Sequence, residues 1–170
     1  MSPHPSYVVD TNTLIDLHFC NLLPRIFTLP CTFIITDFLR HEIRFPPFDE
    51  LSRMGLIVEP LTSAEVAEIS ELLEIYDKPS YEDISVLILA KSQNTILISG
   101  DENLRHVAVQ IGVTCYGTCW LLDFLASQSI IAYKDAISAY QVMQQNRRNP
   151  PKNECKNLLS EWRKKSKMLD

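Results

Sequence analysis

Tyr7-Val8-Val9-Asp10-Thr11-Asn12 reads as a short apolar strand that runs directly into an acid, a hydroxyl and an amide. The apolar residues that follow, Leu14, Ile15, Leu17, Phe19 and Leu22, suggest that a helix begins at once. In open α/β sheets, ligands and chemistry gather at such strand ends. The plain alternative is that Asp10 or Thr11 only caps the helix, since both are ordinary cap residues. The rest of the chain decides between the two.

Outward from this stretch the same alternation returns. Thr32 to Ile35 forms a second strand, and Thr36-Asp37 caps a short helix bearing Leu39 and Ile43 with Arg40, His41 and Glu42 beside them. Phe45-Pro46-Pro47-Phe48 ends that helix, because consecutive prolines cannot continue one. Leu56 to Val58 is a third strand. Thr62 with Glu65 is a capping box opening a helix whose Val66, Ile69, Leu72, Leu73 and Tyr76 share one face opposite Glu68, Glu71 and Glu74. Ser80-Tyr81-Glu82-Asp83 starts another, apolar nearly all round from Ile84 to Ala90, which predicts burial against the sheet. Thr95 to Ser99 is the fourth strand. After Gly100-Asp101 a helix carries Leu104, Val107, Ala108 and Ile111 and closes at Gly112. Val113 to Tyr116 is the fifth strand, and Gly117-Thr118 leads to an apolar helix over Trp120 to Leu125. The alternation predicts an α/β protein, a three-layer α/β/α sandwich on a mainly parallel sheet of about five strands.

At 170 residues the chain suits one buried core, without internal repeats, and 46% hydrophobic with 22% charged residues is a globular composition. The apolar run Val86 to Ala90 is far too short to span a bilayer, so no membrane association is expected. Met1-Ser2-Pro3-His4-Pro5 lacks the basic and apolar regions of a secretory leader, which makes a cytoplasmic setting the expectation. Five cysteines without repeated metal spacing fit reduced thiols, and Cys115 with Cys119 supplies only two of the four ligands a structural zinc needs.

Residues 1–128 are read as the catalytic-type domain and 129–170 as a basic helical extension, packed on that domain or free as a partner-binding arm. Its pattern is a helix with Ile131, Ile137, Tyr140 and Met143, a break at Pro150-Pro151, and a last helix with Leu158, Leu159 and Trp162. From Asn146 onward, eight Lys or Arg face three acids, a tail of +5 on a chain of −5, so the body carries −10. An acidic body that handles nucleic acid needs a cation to mediate, while the basic tail can attract phosphate or an acidic partner, or simply be a solvated helix face.

Four acids sit at comparable addresses: Asp10 after the first strand, Glu42 on the short helix after the second, Asp83 in the first turn of the buried helix, and Asp101 after the fourth strand. Parallel strands bring their carboxyl ends to one edge, where these positions can converge. Crowded carboxylates repel and lose hydration unless a divalent cation neutralises them, and hard oxygen ligands select Mg²⁺ or Mn²⁺. Such a site can activate water and stabilise charge on a phosphodiester, which defines hydrolysis as the reaction class. No histidine stands at an obvious general-base position. Each acid singly has a plain explanation: Ser80-x-x-Asp83 matches a capping box, Asp101 precedes a helix it could cap, Ser99-x-x-Glu102 is a second candidate box, and Glu42 could be an exposed helix residue. Capping explains the four together far less well.

These motifs resemble the successive acidic motifs of PIN domains, metal-dependent ribonucleases that include VapC-type toxins. The resemblance covers about residues 6 to 125, with Thr11 and Asn12 beside the first acid and Ser99 two residues before the last. It implies an Mg²⁺- or Mn²⁺-dependent endoribonuclease acting on RNA, with Asp10, Asp83 and Asp101 as metal ligands and Glu42 as a catalytic acid that ligates through water or positions the attacking water. Thr11, Asn12 and Ser99 would orient them, and Arg105 would lie close enough to touch phosphate, unless it pairs with Glu102 on its own helix. If the resemblance extends to toxin biology, it also implies an antitoxin partner and a homodimer. The rival with the same fold is a catalytically silent binding or partner subunit. A phosphotransfer enzyme or receiver on a similar sheet fits poorly, since position 12 is Asn where a second Asp is wanted and no late-strand Lys is found.

Overall fold

The computed structural model describes residues 4–44, 46–148 and 150–169. Met1 to Pro3 of the N-terminal stretch, Phe45 of the helix-ending run, and Asp170, counted in the tail charge, lie outside the described residues. Five strands, β1 (Ser6–Val9), β2 (Thr32–Thr36), β3 (Ile57–Glu59), β4 (Ile96–Ile98) and β5 (Cys115–Tyr116), form one sheet in the order β3-β2-β1-β4-β5. Every pairing is parallel, with Val8 opposite Ile34 on one side and Leu97 on the other. Consecutive strand residues point to opposite faces, and Val8 with Val9, Phe33 to Ile35, and Leu97 with Ile98 are all buried, so helices cover both faces as the apolar runs predict.

Ten helices accompany the strands among the described residues: α1 (Thr11–Phe19), α2 (Leu23–Ile26), α3 (Asp37–Arg40), α4 (Phe48–Met54), α5 (Ser63–Ile75), α6 (Tyr81–Ser92), α7 (Glu102–Gln110), α8 (Thr118–Ser127), α9 (Tyr133–Gln145) and α10 (Lys152–Leu169). The all-round apolar α6 lies across β1, β2 and β4, with α5 and α7 against it. A second group joins α1, α8, α9 and α10, and the Trp120 and Phe124 rings of α8 meet Tyr7 of β1 edge-on. The Thr62–Glu65 and Ser80–Asp83 capping boxes both form. Gly112 ends α7 at φ 75°, a conformation that costs glycine little.

The structure differs from the sequence reading at several points. The short helix after β2 ends at Arg40, so Glu42 lies in the exposed turn beyond it, its N–H donating to the Leu39 carbonyl at 3.0 Å. Helix α4 follows Pro47 unannounced, because Leu51 is the only residue it fully buries and gives no periodic signal. Of the two caps open to the helix after β4, Asp101 forms and the Ser99–Glu102 box does not, the Ser99 hydroxyl being bonded to Asp10 and the Asp101 N–H. Arg105 pairs with Glu154 at 3.2 Å rather than with Glu102. Cys119 and Cys155, read as reduced thiols, form a disulfide across 36 residues with their Cα atoms 5.3 Å apart, and Cys20, Cys31 and Cys115 stay free. That pair becomes visible only when α10 packs on α8.

The extension from residue 129 contributes to the core: Met143, Cys155 and Trp162 are fully buried, and the Trp162 indole donates to Asp123 Oδ1 at 2.8 Å. The start of α10 is pinned where α8 begins. Glu154 accepts from the N–H groups of Gly117 (3.0 and 3.1 Å) and Trp120 (3.1 Å), and Pro151 fills the space a side chain at position 117 would need. A Cβ on Gly117 would stand 2.7 Å from Pro151 Cγ and 2.8 Å from Glu154 Oε1. Gly117→Ala is therefore expected to cost about 1–3 kcal/mol, because a proline ring cannot swing aside. Urea denaturation of the oxidised protein checks this, and an unchanged midpoint would show that the packing there relaxes freely.

Candidate active site

The strand order reverses between β1 and β4, and their carboxyl ends carry Asp10 and, two residues beyond β4's extension Ser99, Asp101. This is the topological switch point at which α/β sheets open a crevice. Asp10 is 3% exposed. Its N–H continues the ladder to the Ile98 carbonyl at 3.1 Å, Oδ1 accepts from the Thr13 N–H at 2.7 Å, and Oδ2 accepts from the Ser99 hydroxyl. The same hydroxyl oxygen accepts from the Asp101 N–H at 3.1 Å, so Ser99 bridges the two acids. Burial pushes the Asp10 carboxyl up from 3.8 to about 6. The bonds from Ser99 and Thr13 work against that rise and the nearby charge of Asp16 adds to it.

Thr11 donates its hydroxyl to Glu42 Oε2 at 3.1 Å, tying the turn after α3 to the start of α1. Asp10, Thr11, Asn12, Glu42, Glu82 and Asp83 line one cleft of about 170 Å³. Asp83 also holds its box, accepting from the Ser80 N–H at 2.9 Å. Asp101 caps α7 through the Leu104 N–H at 2.8 Å and faces a neighbouring cleft of about 310 Å³ shared with Asn12, Asp16 and Arg148. Arg105 donates to the Ser99 carbonyl at 3.2 Å, bracing the strand end.

Two residues of this neighbourhood lie outside the acidic motifs. Asp16 is buried on α1, where it accepts from Thr118 Oγ1 at 3.1 Å and from Arg148 Nε. Arg148 also donates to the Asn12 carbonyl at 3.3 Å and to Asn12 Oδ1 at 3.1 Å. Asp16 was legible in principle, being an acid three residues after Thr13 on the core-facing stripe of α1. Arg148, from the far end of the chain, was not.

The donor set is all hard oxygen, and a carboxyl held up by burial is one that a cation would return to its charged form. Among the described residues no three Asp, Glu, His or Cys side chains stand close enough together to form a ready-made metal cluster. By their chemistry these oxygen donors suit a hard divalent cation.

A family model described as PIN domain matches residues 6–164, and the chain belongs to that family. PIN domains form a nuclease superfamily that generally uses divalent metals. Among solved structures the chain is similar to a PilT N-terminus domain protein from the hyperthermophilic archaeon Sulfolobus solfataricus. The two are 16% identical, with 66% of this chain and 87% of that one covered at a TM-score of 0.42. None of the curated proteins matches. No helix among the described residues is long and apolar enough to cross a membrane.

Proposed function

We propose that this PIN domain is a metal-dependent endoribonuclease whose centre is Asp10. The observation that supports it most is the Asp10 carboxyl itself, buried at the switch point and opening, with Glu42 and Asp83, on a single cleft. When bound, Mg²⁺ or Mn²⁺ supplies Lewis-acid stabilisation of charge on a phosphodiester and acidifies water. Asp10, fixed in place by Thr13 and Ser99, would touch the ion directly, and Asp83 and Asp101, which face different clefts, would reach it through its waters. Glu42, steadied by Thr11, would accept a proton from the attacking water or position it. Asn12, with its oxygens bound by Arg148, forms the wall between the two clefts, and Arg105 supports Ser99 through its carbonyl. In this reading residues 1–128 carry the chemistry and 129–170 complete the walls. A toxin's role in a cytoplasmic toxin–antitoxin pair would add an antitoxin and a homodimer, both visible as added mass in native mass spectrometry.

One observation favours the silent binding subunit instead: Asp83 and Asp101 each spend an oxygen on capping a helix. Metal separates the readings. The proposal expects Mn²⁺-dependent cutting of a labelled RNA panel that stops on chelation, and calorimetry with Mn²⁺ alone should show binding. Because a ligating carboxylate must shed its proton, affinity should fall about tenfold per pH unit below about 6 and level off above it. Ser99→Ala removes a bond that lowers the Asp10 value, so its break point should move to higher pH. Absence of Mn²⁺ binding at millimolar concentration would decide for the silent subunit.

A further inference from the structure

We propose that Arg147, just after α9, and Lys152, at the start of α10, form a phosphate-holding strap that grips the RNA backbone as it leaves the acid cleft. The inference rests on the nuclease reading above for its choice of ligand. Among the described residues four Lys or Arg line the acid cleft and the two clefts that follow it, and two are already committed: Arg105 to Glu154 and the Ser99 carbonyl, Arg148 to Asp16 and Asn12. The side chains of Arg147 and Lys152 are exposed and, among the described residues, have no hydrogen-bond or ion-pair partner.

Their placement follows a line. Asn12 is common to the acid cleft and to the 310 Å³ cleft that Arg147 borders. Gly100 and Glu102 are in turn common to that cleft and to one of about 530 Å³ that Lys152 borders. Acids, Arg147 and Lys152 thus succeed one another along the carboxyl edge of the sheet. On a body of −10 a polyanion needs such unpaired cations next to the acids.

Residues beside both cations are held, which keeps the ordering cost of binding low. Upstream, Arg148 is clamped to Asp16 and Asn12; downstream, Glu154 is bound to Gly117 and Trp120, and Cys155 to Cys119. Between them Pro150 and Pro151 lie against Gly100. Arg147 itself sits at φ 56°, a left-handed conformation that Gly or Asn adopts more readily, yet the chain places an arginine there. None of the cations from Arg163 to Lys167 lines these clefts, and Lys164 pairs with Glu161 while Lys165 covers the Tyr133 ring.

The test uses the full oxidised chain and a labelled single-stranded RNA of about twelve nucleotides in EDTA, with Kd followed over about 25 to 200 mM KCl. Removing one cation that neutralises a phosphate should flatten the plot of log Kd against log salt by about 0.7, so Arg147→Gln with Lys152→Gln should flatten it by about 1.4. Lys164→Gln with Lys167→Gln should leave the slope unchanged, and thermal melts should confirm that both pairs of variants fold. A strap variant with the wild-type slope, a slope carried by the Lys164 and Lys167 pair, or no binding by the wild type at low salt would each overturn the strap. Cleavage in Mn²⁺ is read separately. Cutting with an unchanged slope sinks the strap alone, and a lowered slope without any cutting sinks the nuclease reading alone.

Discussion

Asp10→Asn is expected to abolish metal-dependent cleavage and, in the metal-free protein, to raise stability at neutral pH. The Asp10 carboxyl is raised from 3.8 to about 6 by burial, so the folded state holds a proton that the unfolded chain releases. The sign follows directly. The group's stabilising contribution is complete below pH 3.8, declines as pH rises, and is gone above about 6, where the charged carboxylate is buried at a cost of about 3 kcal/mol. Asparagine carries no such cost. Its Oδ1 can keep the bond from the Thr13 N–H, and its amide can donate to Ser99 Oγ, which has a second lone pair beside the one taken by the Asp101 N–H. A gain of about 1–3 kcal/mol at pH 7.5 is expected, shrinking to nothing near pH 4, by urea denaturation in EDTA. Cleavage should fall by at least about a thousandfold, the scale on which loss of a central charge-handling group is felt. Undiminished cutting by the variant would remove Asp10 from the site, and a uniform loss of stability at every pH would remove burial as the cause of its shift.

Arg148→Met is expected to destabilise the fold by about 3 kcal/mol at pH 7, because it leaves the Asp16 carboxylate buried and unpaired. Asp16 already lies above the usual carboxylate range, burial outweighing the pull of Arg148 and the Thr118 hydroxyl. Without the guanidinium it should rise further, so the cost should shrink as pH falls and the carboxyl takes up a proton. The double variant with Asp16→Asn should recover most of the loss, since a neutral amide can still meet Thr118. A single-variant cost below about 0.5 kcal/mol would show that Asp16 finds solvent or another partner when the arginine is gone. The pair also bears on the site, since the same guanidinium holds Asn12 at the wall between the clefts.

Asn12 illustrates how an address differs from a role. Its position beside Asp10 follows from the strand-to-helix junction, and it does occupy the first turn of α1. That its carbonyl and amide oxygens both accept from Arg148 depends on a residue 136 positions away. Glu42 shows the reverse error: its helix stops two residues short of it, yet Thr11 still brings it to the cleft.

The sequence by itself determined the alternation of strands and helices, the two capping boxes and the edge on which Asp10, Asp83 and Asp101 fall. These depend on periodicity and caps, which act over a few residues and leave their mark in local spacing. Only the tertiary structure decided that Asp101 faces a different cleft from Asp83, that Asp16 is buried against Arg148, and that Cys155 reaches Cys119. Each of those joins side chains from separate elements, and their meeting is set by how the packed layers bring distant positions together, which no local pattern encodes.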